Sequence, residues 1–211
     1  VQCGRTNLAV TGAVEGQGFF YAPDPSSQLA CAIGGNIAMN SGGAHCLKYG
    51  VTTNNLVGVT MVLMDGSVVE LGGPMGGGAG LDLLGLICGS EGQLGIVTEA
   101  TLRILPKPAG ARPVLVAFDS AETAGACVAA IIRSGILPVA IEYMDRPCIA
   151  ATEDFCGAGY PQCEALLIIE VEGTPPEIDE QLTLIRRIAE SFDPLEFRES
   201  RSDDESKRIW L

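Results

Sequence analysis

At 211 residues, 47% of them hydrophobic and only 18% charged, the chain can bury one large core or two small ones, which excludes a disordered polypeptide. The 13 basic residues stand against 26 acidic ones, a net charge of −13, so nucleic acid and anionic lipid are excluded as expected partners. The sequence opens without a signal peptide and contains no apolar run of about 18 residues, the length that a membrane span needs. We therefore predict a cytoplasmic protein without a membrane span.

The eight cysteines predict thiols and no metal site. They form no C-x-x-C pair, and several lie in apolar segments, where a free cysteine packs as a small hydrophobic residue. A zinc site at Cys156 and Cys163 is the alternative, but their spacing matches no common ligand pattern and the single histidine, His45, is distant in sequence. Since no carboxylate is placed by sequence to orient it, His45 is predicted to be a loop or core residue and not a catalytic base.

Two glycine-rich segments predict a cofactor surface. Gly34-Gly35 and Gly42-Gly43 flank a stretch with two amide side chains, Asn36 and Asn40, and Gly89, Gly92 and Gly95 punctuate a second segment before an apolar run. Glycine adopts positive φ readily and lacks Cβ, so its amide can approach a ligand closely. In isolation Gly34-Gly35 could also be a tight turn or a β-bulge. The two segments together predict two loops that converge on one large cofactor.

The middle of the chain predicts a β-hairpin and a strand. Residues 57–64 and 67–71 are rich in β-formers and flank Asp65-Gly66, which predicts a hairpin with a type I′ turn. Residues 72–80 predict a surface loop, and residues 81–88 a short buried helix. Residues 96–105 alternate as a strand that Pro106 and Pro108 end, and these prolines predict the boundary between domains 1–108 and 109–211.

The second domain alternates strands and helices. Strands are expected at 114–118, 138–143 and 165–171, and helices at 121–133 (capped by Ser120), 147–155 and 178–192. This order favours a helix-backed sheet of the ferredoxin-like type. The charged tail 197–207 is followed by Ile209-Trp210-Leu211, which predicts a helix that continues beyond the chain, with Trp210 as part of a core.

The motifs, in this order and spacing, resemble the FAD-linked oxidases of the vanillyl-alcohol oxidase superfamily, and among them the flavin subunits of bacterial glycolate oxidases. D-lactate and D-2-hydroxyglutarate dehydrogenases are relatives of that group. The resemblance rests on Tyr21-Ala22-Pro23-Asp24-Pro25-Ser26-Ser27, Ile33-Gly34-Gly35-Asn36, Lys48-Tyr49-Gly50 and the segment from Gly89 to Ala100.

The resemblance implies an α+β fold: the second half of a PCMH-type FAD-binding domain, followed by the start of a ferredoxin-like cap domain. It implies FAD as cofactor and oxidation of a small 2-hydroxy acid, glycolate or D-lactate, by hydride transfer. It also implies other oxidase subunits as partners, an iron–sulfur subunit among them. The family's pyrophosphate loop is expected upstream of Val1, and its substrate arginine and histidines after Leu211, so the isolated chain is expected to be inactive and to bind FAD weakly or not at all.

Carried over by position, the resemblance implies a set of cofactor-binding residues and no catalytic one. The stretch at 23–26 would line the flavin, residues 31–36 would form a loop on its ring and ribityl chain, residues 40–42 would continue that wall, and residues 91–97 would meet the adenosine side. The residues are Pro23, Asp24, Ser26, Cys31, Ala32, Ile33, Gly34, Gly35, Asn36, Asn40, Ser41, Gly42, Glu91, Gly92, Gly95, Ile96 and Val97.

One departure and two rival functions complete the prediction. Gly80-Leu81-Asp82-Leu83 stands where the family commonly has Gly-Tyr-Asp-Leu, which loses a hydroxyl and keeps Asp82. A flavin-free scaffold subunit of a hydroxy-acid oxidase is the rival from another class. A flavin reductase of cell-wall precursor synthesis would share the flavin subdomain and should lack the pattern after Pro113.

Overall fold

The computed structural model describes residues 1–73 and 80–210. The chain divides into two compact units, Val1–Lys107 and Pro108–Leu211, each with its own core. The surface loop predicted at 72–80 falls largely on residues 74–79, outside the described residues. Within the described ranges, no helix is both long enough and apolar enough to cross a bilayer.

The first unit surrounds a three-stranded antiparallel sheet with short helices. The strand order is β3-β2-β4, and a separate two-stranded pairing joins β1 to β5. The elements in chain order are α1 (Asn7–Val14), a 3-10 turn (Glu15–Gln17), β1 (Phe19–Phe20), α2 (Ile33–Met39), α3 (Cys46–Tyr49), α4 (Thr52–Asn55), β2 (Leu56–Val62), β3 (Val68–Gly72), α5 (Leu83–Ile87), β4 (Ile96–Leu102) and β5 (Leu105–Pro106).

The core of the first unit joins α2 to this sheet. Ile33 and Ile37 of α2 are fully buried against Val59 and Met61 of β2, and burial of each such side chain stabilises the fold by roughly 1.5–3 kcal/mol. Residues 1–3 run beside β4, where the Cys3 amide donates to the Thr98 carbonyl at 3.0 Å. The start of the chain therefore lies between β4 and α2.

The predicted hairpin forms with a different turn. A type I′ turn needs positive φ at both Asp65 and Gly66, and only Gly66 has it (φ 82°). The Gly66 amide donates to the Leu63 carbonyl at 3.0 Å, and the Leu63 amide donates to the Ser67 carbonyl at 2.9 Å. The connection is thus a three-residue loop that ends in a left-handed glycine, and the type I′ prediction is wrong.

Three other predictions for this unit need correction. Residues 33–39 form a helix where a loop was expected, and neither Gly34 nor Gly35 has a positive φ. The helix predicted at 81–88 is shorter and mostly exposed, because Leu83 and Leu86 face solvent and only Ile87 of α5 is buried. Pro106 does not end the strand region, because it lies in β5 and pairs with Phe19 of β1. Proline is tolerated in this short pairing because its missing N–H is not needed for a hydrogen bond in the interior of a sheet.

The second unit is a four-stranded antiparallel sheet with strand order β7-β8-β6-β9. Counted within this unit, β6, β7, β8 and β9 are the first to fourth strands, and from β9 onwards they lie in the order fourth, first, third, second. This is the ferredoxin-like arrangement, with one extra helix, α7, before the third strand. The elements are β6 (Gly110–Phe118), α6 (Ala121–Arg133), β7 (Ala140–Asp145), α7 (Arg146–Cys156), β8 (Ala165–Gly173), α8 (Pro175–Glu190), β9 (Glu196–Glu199) and α9 (Asp203–Ile209).

Both faces of this sheet are covered, which explains its continuous apolar strands. Val116 of β6 packs towards α6 and α8, whereas Leu115 on the opposite face packs with Ile149 of α7 and Ile209 of α9. The charged tail was predicted without a strand, yet it supplies the edge strand β9. Ile209 is only 3% exposed, and the Trp210 indole donates to Glu170 at 3.2 Å, so the end of the chain belongs to this core.

Candidate functional site

The two glycine-rich segments lie side by side in the first unit. The Gly89 amide donates to the Ile37 carbonyl and the Glu91 amide to the Ala38 carbonyl, both at 2.8 Å. These two bonds attach the last turn of α2 to the turn before β4. We call the surface formed by α2 and residues 89–97 the glycine wall.

The glycine wall borders a cavity of about 300 Å³. Both segments contribute to its lining, as do Cys3 and Ile87. Of the predicted cofactor-binding residues, the structure brings together at this cavity Gly34, Gly92, Gly95, Ile96 and Val97.

The glycines of the wall serve different purposes. A Cβ on Gly34 would lie 3.1 Å from the Cys3 Cβ, so this glycine permits packing inside the protein. A Cβ on Gly35 or Gly92 would meet nothing within 4 Å, so these positions face open space. Gly92 also has a φ of 76°, which a side chain would strain. Gly35 and Gly92 are therefore the positions where the backbone is bare towards solvent.

Most backbone amides of the wall are already used within the protein. The Gly34 amide donates to the Cys3 carbonyl at 2.9 Å, and the Ser41 amide donates to the Asn36 carbonyl at 2.9 Å. The Gly89 and Glu91 amides are bonded to α2. The wall thus offers positions without side chains more than a row of available N–H groups.

Asn36 supplies a polar group that the protein leaves unpartnered. Its side chain is 2% exposed, and its Nδ2 has no hydrogen-bond partner in the described part of the chain. A buried amide nitrogen without a partner is costly, and such groups in native proteins commonly have a functional reason. Asn36 can donate to a polar ligand that lies against α2.

The predicted residues at 40–42 are bound into the protein. The Asn40 carboxamide oxygen accepts from the Thr53 amide at 2.9 Å, and the Ser41 carbonyl accepts from both the amide and the hydroxyl of Thr52. A Cβ on Gly42 would overlap Cys46. These residues fix the exit of α2, whereas Cys31 and Ala32 precede its first turn.

The predicted stretch at 23–26 contains a contact that sequence reasoning missed. The Asp24 carboxylate lies 2.5 Å from His45 Nδ1, and the His45 amide also contacts it at 3.4 Å. Gly43 makes this possible, because a Cβ there would overlap the Asp24 backbone. The prediction that no carboxylate orients His45 is wrong, and no local pattern links two residues 21 positions apart. Pro23 is buried beside this pair, and Ser26 is exposed.

Three buried titratable groups near the wall, Cys3, Cys88 and Tyr21, have raised pKa values and stay neutral at pH 7. Burial raises the pKa of the Cys3 and Cys88 thiols. Burial also raises the pKa of Tyr21 to about 12, with a smaller opposing effect of Thr52, whose hydroxyl donates to Ser41. Nucleophilic thiolates are therefore not expected here.

Metal binding finds no support in the described ranges, where no group of three or more histidine, cysteine, aspartate or glutamate residues could hold an ion. All eight cysteines are free thiols.

Comparisons with known proteins decide the family. Residues 1–72 match the model of an FAD binding domain, and residues 107–211 match the model described as FAD linked oxidases, C-terminal domain. The whole chain is 45% identical to Glycolate oxidase subunit GlcD of Escherichia coli. The chain belongs to the FAD-linked oxidases. FAD is the cofactor of this family, and the predicted α+β class and ferredoxin-like cap are confirmed.

Other relatives agree with this assignment. The chain is 38% identical over 208 residues to Glycolate oxidase subunit GlcD of Bacillus subtilis, and 37% identical over 162 residues (76% of the chain) to D-lactate dehydrogenase of Anaerostipes hadrus. It covers 42%, 44% and 32% of the E. coli, B. subtilis and A. hadrus proteins. A solved structure of alkyldihydroxyacetonephosphate synthase has the same fold, with a TM-score of 0.81 at 23% identity over 99% of the chain and 43% of that structure.

The residues present fit the family's cofactor in two respects. Gly35 and Gly92 leave open space beside the wall, and the Asn36 Nδ2 is a donor that the described residues leave unused. Gly92 lines the cavity of about 300 Å³, whereas Gly35 and Asn36 do not, and this volume is at the lower end for a ligand site.

Proposed function

We propose that this chain is the flavin-facing part of an FAD-dependent oxidoreductase that oxidises a small 2-hydroxy acid, glycolate or D-lactate. Residues 1–108 would form the C-terminal part of the FAD-binding domain, and residues 109–211 the first part of the cap domain. FAD, when bound, supplies the acceptor for the hydride that leaves the hydroxy acid. The chain spans less than half of the relatives that carry the glycolate oxidase and D-lactate dehydrogenase names, and those names support the activity.

The single observation that carries the proposal is the glycine wall. Two segments that are more than 50 residues apart in sequence meet through the Gly89–Ile37 and Glu91–Ala38 backbone bonds, as a shared ligand would require. In the proposed site, Gly35 and Gly92 admit the cofactor closely, and Asn36 donates to one of its polar edges.

The other predicted residues would position this wall and exclude water. Ile33 and Ile37 anchor α2 in the core, so that the opposite side of the helix is held in place. Asn40 and Ser41 fix the end of α2 through Thr53 and Thr52. In this proposal the chain contributes cofactor binding, and no acid or base of the wall is assigned a role in proton transfer.

Assembly and location form part of the same proposal. The word subunit in the names of two relatives supports other oxidase subunits as partners, and we propose an iron–sulfur subunit among them. We propose a cytoplasmic location. The rival function, a flavin-free scaffold subunit, would need the fold and would not need Asn36 to remain unpartnered.

A hybrid protein tests the activity. The 211 residues of this chain replace the aligned 211 residues of the E. coli Glycolate oxidase subunit GlcD, which supplies the remaining sequence. We expect the purified hybrid to carry FAD and its flavin absorbance to bleach on addition of glycolate or D-lactate. The unaltered E. coli subunit is the control.

A soluble hybrid with native circular dichroism and no flavin would contradict the proposal and favour the scaffold. A flavin-loaded hybrid that neither hydroxy acid bleaches would contradict the substrate class and leave the cofactor site supported.

A further inference from the structure

A second cavity, in the unit Pro108–Leu211, is rich in arginine. It encloses about 510 Å³, and its charged lining comprises four arginines and two glutamates, Arg186, Arg198, Arg201, Arg208, Glu199 and Glu205. The chain has only 13 basic residues and a net charge of −13, so a gathering of four arginines runs against its composition. The proposed flavin site includes none of the residues that line this cavity.

Two of the four arginines are neutralised by the protein. Arg186 pairs with Glu199 at 2.9 Å and stacks over Phe197, with 4.2 Å from its guanidinium carbon to the ring centroid. Arg198 pairs with Glu196 at 2.7 Å. These arginines build the wall of the cavity, and their charge is compensated.

The other two arginines have no direct ion-pair partner among the described residues. Neither guanidinium of Arg201 and Arg208 has a hydrogen bond or ion pair within residues 1–73 and 80–210. The carboxylate of Glu205, which also lines the cavity, accepts a hydrogen bond from the Arg201 backbone amide at 2.5 Å. Both arginines are exposed, so their two guanidinium groups are available to a ligand.

A buried hydroxyl gives an independent sign of a ligand. Ser200 lines the same cavity, is 2% exposed, and its Oγ has no partner among the residues that the structure describes. Hydroxyl groups buried to this degree are nearly always hydrogen-bonded in native proteins. A ligand oxygen held between the arginines could accept this hydroxyl's hydrogen.

We propose that this cavity binds a small oxyanion with two negative charges, either a phosphate group or a short dicarboxylate. Arg201 and Arg208 each supply planar N–H donors that match phosphate and carboxylate geometry, and the Ser200 hydroxyl donates a further bond. The lining holds four arginines against two glutamates, a net charge of +2, which favours a dianion over a monoanion because each added charge contributes its own attraction. The site is separate from the glycine wall and does not depend on the proposed oxidase activity.

Isothermal titration calorimetry on the 211-residue chain tests this site. Inorganic phosphate, succinate and acetate are titrated at constant ionic strength, and the single tryptophan, Trp210, gives a second readout by fluorescence because it adjoins Ile209 in the lining. We expect saturable binding of phosphate or succinate. The one that binds more tightly identifies the ligand as a phosphate group or as a dicarboxylate. Acetate should bind at least tenfold more weakly, since it carries one charge.

Matched variants assign the binding to the cavity. Arg201→Gln and Arg208→Gln should each weaken dianion binding about tenfold, because a hydrogen bond to a charged group is lost. Lys207→Gln removes the same charge from the exposed side of α9, where Lys207 is 79% exposed, and should leave the affinity unchanged. The absence of saturable binding by both dianions would overturn the proposal, as would equal losses in Lys207→Gln and Arg208→Gln.

Discussion

Replacing Gly35 by alanine separates the stability of α2 from its ability to accept a cofactor. Gly35 lies in the first turn of α2, its φ is not positive, and a Cβ there would meet nothing within 4 Å. Alanine in a helix is favoured over glycine by roughly 0.5–1 kcal/mol, and the first-turn position points to the lower value. We therefore expect Gly35→Ala to raise the free energy of unfolding of the first unit by about 0.5 kcal/mol.

The same methyl group would stand in the space that the proposed flavin needs. Forcing a methyl group into a packed contact typically costs about 1–3 kcal/mol, which corresponds to a roughly tenfold or greater loss of affinity. The variant should thus be more stable without cofactor and bind FAD more weakly. A change in the stability of the chain alone would not raise the free energy of unfolding and lower the FAD affinity at the same time.

Gly12→Ala is the matched control, because Gly12 lies in α1 of the same unit and also has open space at its Cβ position. Thermal unfolding of each chain variant measures the stability, and the FAD affinity is measured in the hybrid protein by flavin fluorescence quenching. Gly12→Ala should gain similar stability and keep full FAD affinity. Unchanged FAD affinity in Gly35→Ala would refute the assignment of Gly35 to the cofactor surface.

Three further outcomes follow from burial and capping. The folded-state pKa of Tyr21, about 12, lies above its ordinary value of 10.0. The free energy of unfolding should therefore be constant below pH 10 and fall by about 2 kcal/mol as the pH rises towards 12. Tyr21→Phe should abolish this alkaline loss, which urea titrations measure. Ser120→Ala should lower the unfolding free energy by about 1 kcal/mol, because the Ser120 hydroxyl caps α6, whereas Ser120→Asp should retain the cap; chemical denaturation of the two variants decides. Alkylation at neutral pH, followed by mass spectrometry, should label the exposed Cys148 and Cys156 first and spare Cys127, whose pKa burial raises to about 11; early labelling of Cys127 would contradict the buried core of the second unit.

Local patterns predicted much of the fold. Asp65-Gly66 between β-rich runs identified the hairpin, and Ser120 marked the start of α6 at the correct residue. The turn type failed because it depends on the backbone of Asp65, which the sequence leaves free to adopt either sign of φ. The edge strand β9 was missed because Glu196–Glu199 is charged, and its place is set by pairing with β6, a contact distant in sequence.

For the candidate site, the sequence supplied a set of residues, but their local conformation and their contacts with one another were predicted less well. The glycine pair 34–35 was expected in a loop, yet Ile33 and Ile37, four residues apart, bury one face of a helix and override the low helix propensity of glycine. The Asp24–His45 contact depends on the absence of a Cβ at Gly43, which only the folded chain reveals. The roles of the individual wall residues in cofactor binding stay a prediction.

Amide hydrogen exchange of the hybrid protein, with and without bound FAD, tests the glycine wall most directly. We expect FAD to slow exchange in α2 and in residues 89–97 together, because both would be covered by one ligand, and to leave α1 unchanged. Slowing in neither segment, or in α1 as strongly as in α2, would contradict the cofactor surface proposed for this chain.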